Sequence, residues 1–147
     1  MRAVDTNVLV RFFVADDPLQ FRRARRLLEA GAVFIPKTVL LETEWVLRHA
    51  YGLAASDVLR AFGALSGTAE VQIEDSDAVL KALAWFGEGM DFADALHIAS
   101  RGGASEFVTF DKSLASAARK AGIGGVTAPR ASATPRSTVG PATAPMH

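Results

Sequence analysis

The sequence predicts a single α/β domain built on a short parallel β-sheet. Short apolar runs alternate with longer helical patterns along most of the chain, an order that favours parallel strands covered by helices on both faces. Two of the short runs end directly in an aspartate, and the carboxyl ends of parallel strands are where such sheets bind ligands. A length of 147 residues, half of them apolar, suits one domain with one hydrophobic core.

Turn and capping residues set the bounds of the predicted elements. Pro18 suits a first helical turn, Gly31 lies just past a helix end, and Ser56 fits a helix N-cap. Trp45, Trp85 and the nine phenylalanines fit core positions. The predicted strands are residues 2–4, 33–35, 71–73, 107–110 and a last strand at 126; the predicted helices are residues 7–14, 18–30, 38–51, 56–65, 76–85, 92–100 and 112–121.

The composition changes sharply near Ala128. Residues 128–147 hold four of the six prolines, many Ser, Thr and Ala, and two Arg without an acid. Such a segment cannot bury enough apolar surface to offset its ordering entropy. The sequence therefore predicts a folded domain over residues 1–127 and a disordered tail over residues 128–147.

The bulk composition excludes several kinds of protein. Lys plus Arg and Asp plus Glu both number 16, so a contact with nucleic acid must come from a local basic patch. The absence of cysteine excludes a disulfide scaffold, a thiolate zinc site and a cysteine nucleophile. No signal peptide or membrane-spanning run is recognisable, which predicts a soluble, cytoplasmic protein without a membrane partner.

Two acidic residues lie among apolar neighbours. Glu42 has Val39, Trp45 and Val46 at helical spacing and no basic partner, whereas Glu44 has Arg48 four residues on and is predicted to be exposed and paired. Asp94, in the segment DFADALHIA, likewise has no Lys or Arg one turn away. A buried, unpaired carboxylate is costly, so Glu42 and Asp94 are predicted to meet a cation.

Three further acids have two possible roles. Asp5 and Asp111 each follow a predicted strand, and Asp91 begins the helix of Asp94. Each can cap the helix that follows it, and capping alone would explain any one of them. In a parallel sheet, however, strand ends and helix N-termini gather at one edge, where Asp5, Glu42, Asp94 and Asp111 could converge. Such a cluster of carboxylate oxygens is a site for Mg²⁺ or Mn²⁺, which Asp91 would join as an accessory acid.

The acids lie in segments that resemble a known family. VDTNVLVRF, LLETEWVLRHAYG, DFADALHIA and FVTFDKSLA, in this order and spacing, resemble the PIN-domain ribonucleases, most closely the VapC toxins of bacterial toxin–antitoxin pairs. The resemblance covers residues 1–127; the Pro-rich tail departs from the usual pattern. The resemblance implies a PIN-like three-layer α/β/α fold with a short central parallel sheet.

The resemblance also implies a function. It implies a Mg²⁺- or Mn²⁺-dependent endoribonuclease that cleaves single-stranded regions of structured RNA, a homodimer, and inhibition by a small antitoxin. The implied catalytic and metal-binding residues are Asp5, Glu42, Asp94 and Asp111, with Asp91 as accessory acid and Thr6, Asn7 and Thr109 in support.

Basic residues near these acids are candidates for contacts with RNA. Lys112 directly follows Asp111 and is the predicted phosphate contact, ahead of Lys37 and Arg48. A run with four Arg between residues 22 and 26 fits a solvated helix face, with RNA or an acidic partner as the alternative.

Two other functions remain open from the residues. A phosphotransferase would use Asp5 as nucleophile, but such enzymes commonly place a second Asp where this chain has Asn7. A catalytically silent binding module would keep the fold for contacts with protein or RNA.

Overall fold

The computed structural model describes residues 1–130, and the predicted tail lies outside the described residues from position 131 onward. Its elements confirm the predicted alternation of strands and helices to within a few residues. In chain order they are β1 (Arg2–Ala3), α1 (Thr6–Val14), α2 (Pro18–Glu29), β2 (Val33–Ile35), α3 (Lys37–His49), α4 (Ala55–Ser66), β3 (Val71–Ile73), α5 (Ser76–Gly87), α6 (Phe92–Ala99), β4 (Phe107–Val108), α7 (Lys112–Lys120) and β5 (Val126–Thr127).

All strand pairs within the described residues are parallel, as predicted, but they form two separate sheets. One sheet has the order β1-β2-β3 and the other pairs β4 with β5. Strands of two or three residues make few ladder hydrogen bonds, and no hydrogen-bonded strand pair joins the two sheets in the described part of the chain. The single short sheet expected from the sequence is therefore divided into two.

Gly125 brings the second sheet together. Its φ of 75° lies in the left-handed region, and a Cβ atom at this position would collide with the carbonyl oxygen of Ser105. The close approach lets the Phe107 N–H donate to the Gly125 carbonyl at 2.7 Å. Only glycine allows both the positive φ and the close approach to Ser105. This contact fixes β4 just before Asp111.

The core lies between the first sheet and the helices. Phe92 at the start of α6 is fully buried and meets the rings of Phe62 and Phe86 edge-on, at centroid distances of 5.8 Å and 5.4 Å. Burying an aromatic side chain of this size contributes roughly 1.5–3 kcal/mol, so this cluster fixes the N-terminus of α6. Other fully buried side chains include Leu9, Ile35, Leu40, Leu47, Val58, Val79 and Ile98.

Three local predictions are wrong. Ser56 lies inside α4, whose N-cap is Ala54; the Asp57 carboxylate accepts the Ala54 N–H at 3.1 Å and stabilises that helix end instead. Phe110 is 86% exposed and Trp45 is 58% exposed, so neither belongs to the core. Phe110 lies between strand and helix, where no layer covers it, and Trp45 stacks on His49 one turn along α3.

Among residues 1–130, no helix combines the length and the apolar character needed to cross a bilayer.

Candidate metal and nuclease site

The first part of the site joins the start of α1 to α3. Asp5 follows β1 and caps α1, its Oδ1 accepting the Val8 N–H at 3.3 Å. The next residue, Thr6, donates its hydroxyl hydrogen to Glu42 Oε1 on α3. This hydrogen bond fixes the Glu42 carboxylate beside the N-terminus of α1. The fold thus brings Glu42 next to the segment that carries Asp5, although they are far apart in the sequence.

The second part of the site gathers three aspartates. Asp91 caps α6 and accepts the Asp94 N–H at 3.0 Å, while Asp111 caps α7 and accepts the Leu114 N–H at 3.0 Å. Burial raises the pKa of Asp94; the charges of Asp91 and Asp111 raise it further, and His97 lowers it. This like-charge effect indicates that Asp94 lies near both Asp91, which precedes α6, and Asp111, which precedes α7.

Each of the three strand-end or helix-start acids therefore caps a helix, the simpler of the two roles predicted for it. Capping occupies one carboxylate oxygen, Oδ1 of Asp5 and Asp111 and Oδ2 of Asp91. The second oxygen is left for another ligand. The two roles are compatible, because a helix N-terminus stabilises the ionised form that a metal ion needs.

The prediction of which α3 glutamate is buried is wrong. Glu42 is exposed, whereas Glu44 is only 7% exposed. Leu40, Thr43 and Leu47 are fully buried on the face that carries Glu44, and this i, i+3, i+4, i+7 spacing was the sequence signal for its burial.

Glu44 is a candidate site residue that the sequence motifs did not indicate. Burial raises the pKa of Glu44 and the charge of Asp91 raises it further, while Arg48 and His49 lower it. Its Oε2 lies 3.7 Å from Arg48 Nη1, too far for a hydrogen bond. Glu44 therefore lies near enough to Asp91 to feel its charge, so α3 connects the two parts of the site.

The donor chemistry fits a hard divalent cation, but the acids do not form one closed cluster. Among residues 1–130, Asp5, Glu42, Asp91, Asp94 and Asp111 make no ion pair with a basic side chain. Within the same range, no three acidic or histidine side chains stand close enough to hold a metal ion. The predicted single pocket is thus two neighbouring groups, which would have to approach each other around an ion.

The predicted supporting residues lie beside these groups. Thr109 Oγ1 accepts the Asp111 N–H at 2.9 Å and shapes the turn between β4 and α7. Asn7 is exposed and lines a cavity of about 320 Å³ together with Arg11 and Arg23.

The candidate basic residues differ in their partners. Lys37 pairs with Asp75 at 3.0 Å and also donates to Ser100, and Arg48 pairs with Glu44. Lys112 is exposed and has no ion-pair partner in the described part of the chain. The four Arg of α2 are also exposed, and of these Arg25 pairs with Glu29.

Comparisons with known proteins identify a similar solved structure and a matching family. No curated protein matches this chain. Among solved structures, the Mycobacterium tuberculosis toxin VapC20, described as a sarcin-ricin loop cleaving toxin, matches with 24% identity and a TM-score of 0.40. The match covers 80% of this chain and 95% of that one. A TM-score this low carries no argument about fold or function.

A family model gives the stronger result. The model described as PIN domain matches residues 2–120, which include every candidate acid from Asp5 to Asp111. The match confirms the resemblance found in the sequence at the level of this family, and with it the PIN-like three-layer α/β/α fold class. The chain belongs to the PIN domain family.

Proposed function

We propose that this protein is a Mg²⁺- or Mn²⁺-dependent endoribonuclease. One observation carries the proposal: Asp94 is partly buried beside Asp91 and Asp111, whose charges raise its pKa, and no basic side chain among residues 1–130 pairs with any of them. A group of carboxylates kept together without a counterion is suited to a divalent cation. Membership of the PIN domain family supports a nuclease.

Asp5, Glu42, Asp94 and Asp111 are the proposed ligands, directly or through water, with Asp91 as accessory acid. A divalent ion bound by such oxygens orients a water molecule, lowers its pKa and offsets charge on a phosphate oxygen. The set contains oxygen donors only, which favours Mg²⁺ or Mn²⁺ over a softer metal. No covalent intermediate with the enzyme is expected.

The chain's own residues hold the acids in place. Thr6 donates to Glu42 and so orients the carboxylate toward the start of α1. Thr109 fixes the backbone of Asp111, and the start of α7 receives its Oδ1. Lys112, the next residue, is the proposed contact to a phosphate of the RNA, because it is exposed and has no ion-pair partner among the described residues.

The biological role that fits this activity is the toxin of a toxin–antitoxin pair. The four sequence segments that resemble VapC toxins support it. By the same resemblance, the proposed substrate is a single-stranded region of a structured RNA, and the proposed assembly is a homodimer inhibited by a small antitoxin. A cytoplasmic location would place the enzyme with its substrate.

Cleavage of labelled structured RNA by the metal-stripped protein tests the activity. We expect cleavage only after addition of Mg²⁺ or Mn²⁺, and its loss in Asp5→Asn and Asp94→Asn. Asp77→Asn, an exposed acid in the first turn of α5, is the matched control and should cleave normally. Cleavage that persists without metal, or in both site variants, would contradict the proposal.

The same preparations distinguish the alternatives. Transfer of phosphate to Asp5 would indicate a phosphotransferase, and RNA binding without turnover in any metal would indicate a silent binding module. Induced expression in a bacterial host tests the toxin role: growth should slow with the wild type and continue with Asp94→Asn.

A further inference from the structure

A cavity of about 540 Å³ opens between α7 and the segment that precedes α6. The wall formed by α7 is mostly polar or charged. The opposite wall, formed by residues 88–90, carries one acid and one apolar side chain. The lining includes Glu88, Met90, Lys112, Ser113, Ser116 and Lys120.

The α7 side of the cavity presents a regular line of donors. Lys112, Ser116 and Lys120 are spaced four residues apart and so lie on one side of the helix. The line extends about 12 Å, at about 1.5 Å per residue, enough for a nucleic-acid strand to present more than one phosphate. Lys112 and Lys120 are both exposed, and among residues 1–130 neither forms an ion pair.

The cavity is continuous in sequence with the proposed site at two points. Lys112 directly follows Asp111, and Met90 directly precedes Asp91. A strand whose scissile phosphate lies at the acids therefore reaches this cavity with its neighbouring nucleotides. Beyond the acidic groups, the negative phosphates of the RNA strand need a positive partner. The two lysines supply that positive charge.

We infer that this cavity is a second RNA subsite, which binds backbone phosphates on one side of the scissile bond. The inference rests on the proposed nuclease function and assigns Lys120 and Ser116 to substrate binding. Lys112 and Lys120 bind phosphate oxygens by charge, and the Ser116 hydroxyl donates a hydrogen bond between them. Glu88 on the opposite wall repels the strand and confines it to the α7 side.

Backbone contacts of this kind give affinity without selecting a base. The subsite therefore favours longer strands over dinucleotides and leaves the choice of cleavage position to other residues. Its loss raises KM and leaves kcat nearly unchanged, because phosphates remote from the reacting bond are bound equally in ground state and transition state.

Binding of a labelled single-stranded oligoribonucleotide without divalent metal tests the subsite. Lys112→Gln and Lys120→Gln should each weaken binding by about fivefold, the upper range for one exposed ion pair. Each should also lower the slope of log Kd against log salt by about 0.7. Arg119→Gln, which removes an exposed charge from the same helix outside the cavity lining, is the matched control and should change binding little. Glu88→Gln, which removes the negative charge from the opposite wall, should tighten binding of the oligoribonucleotide.

Oligonucleotides with one neutral methylphosphonate linkage then locate the contact. The neutral linkage should weaken binding to the wild type at one or two positions on a single side of the cleavage point. At those positions it should have no further effect on binding to the Lys112→Gln, Lys120→Gln double variant. Equal losses at every position, or a loss in Arg119→Gln as large as in the lysine variants, would overturn the subsite. An affinity for poly-glutamate that depends on the two lysines, with RNA binding unchanged, would assign the cavity to an acidic protein segment instead.

The two proposals fail separately. RNA binding that depends on the lysines without metal-dependent cleavage would contradict the nuclease and support the cavity as an RNA-binding site only. Metal-dependent cleavage whose KM is the same in the double variant and the wild type would support the nuclease and overturn the subsite.

Discussion

Two glutamates two positions apart on α3 face different surroundings. Glu42 is exposed and accepts a hydrogen bond from Thr6, whereas Glu44 is buried on the face shared with Leu40 and Leu47. A helix turns by about 200° over two residues, at 3.6 residues per turn, so the two carboxylates leave the helix on nearly opposite sides. Glu42 is the proposed ligand, and Glu44 places a buried carboxyl group near Asp91.

The burial of Glu44 predicts how stability depends on pH. Its pKa is raised in the folded state, so the folded protein holds this proton more tightly than the unfolded chain does. The free energy of unfolding should therefore fall as pH rises from the unfolded value of about 4.5 through the raised folded pKa. Without divalent metal, Glu44→Gln should reduce this fall and be more stable than the wild type near neutral pH.

Urea unfolding at a series of pH values measures the effect. Asp94, whose pKa is raised in the same direction, should leave a residual slope in Glu44→Gln. Glu70→Gln changes an exposed glutamate and should unfold like the wild type. A Glu44→Gln variant less stable than the wild type at neutral pH would mean that the pair with Arg48 outweighs the cost of burial.

The Thr6 hydroxyl is predicted to act through Glu42. Thr6→Val removes the donor and leaves the Glu42 carboxylate free to turn into solvent, so metal affinity and cleavage should fall by about 10- to 100-fold, as for other residues that orient a ligand. Thr6→Ser keeps the hydroxyl and should retain both. Calorimetric titration with Mn²⁺ measures the affinity, and equal behaviour of the two variants would remove Thr6 from the site.

At the scale of elements, the site is assembled from helix N-termini. Asp5, Asp91 and Asp111 cap α1, α6 and α7, so three positive helix ends stabilise carboxylates that would otherwise repel one another. The elements supply the fixed positions, and only the carboxylate oxygens not used in capping remain for a ligand. A single side chain therefore serves both the folding of its helix and the proposed chemistry.

Substitutions at Asp111 can separate these two roles. Asn caps a helix about as well as Asp, whereas Ala costs about 1 kcal/mol. Asp111→Asn should keep the metal-free stability of the wild type, and Asp111→Ala should lose about that amount. Both should lose metal-dependent cleavage, because neither side chain carries the charge that the ion needs.

Thermal unfolding without metal and RNA cleavage with Mn²⁺ are the paired measurements. Full cleavage by Asp111→Asn would show that the cap is the whole role of this residue.

At the scale of the molecule, α3 packs against both α1 and α6 and so connects the two acidic groups. The second sheet fixes the backbone just before Asp111, since β4 is held by β5 through Gly125. The described part of the chain includes β5 and continues to Arg130, whose Nη2 lies 3.6 Å from Glu106 Oε1. Arg130 thus approaches the folded part although composition assigns it to the tail, and the predicted boundary after residue 127 stays a prediction.

A shortened chain tests this boundary. A protein of residues 1–130 keeps β5 and should match the full chain in midpoint of thermal unfolding and in RNA cleavage. A protein of residues 1–124 lacks Gly125 and β5, so Asp111 loses its support and cleavage should fall. If residues 1–130 are inactive while the full chain cleaves RNA, the segment after residue 130 belongs to the functional unit.

The sequence alone determined the local and periodic features of this protein. Alternating short apolar runs and helical patterns predicted α/β architecture, and capping residues such as Pro18 and Gly31 set the element bounds closely. The acids at strand ends were recognisable because a carboxylate directly after an apolar run usually caps the next helix, binds a ligand or does both. Such features depend on neighbours within one or two turns, which the chain order specifies directly.

Only the tertiary structure decided which side chains are buried and which acids meet. The sequence offers Glu44 both a basic partner, Arg48, and a place in an apolar helical pattern, and the packing of α3 against its neighbouring helices decided for burial. The division into two sheets and the exposure of Phe110 depend on how distant segments pack. The physical reason is that two-residue strands and partly apolar helix faces have almost no preference of their own, so long-range packing determines them.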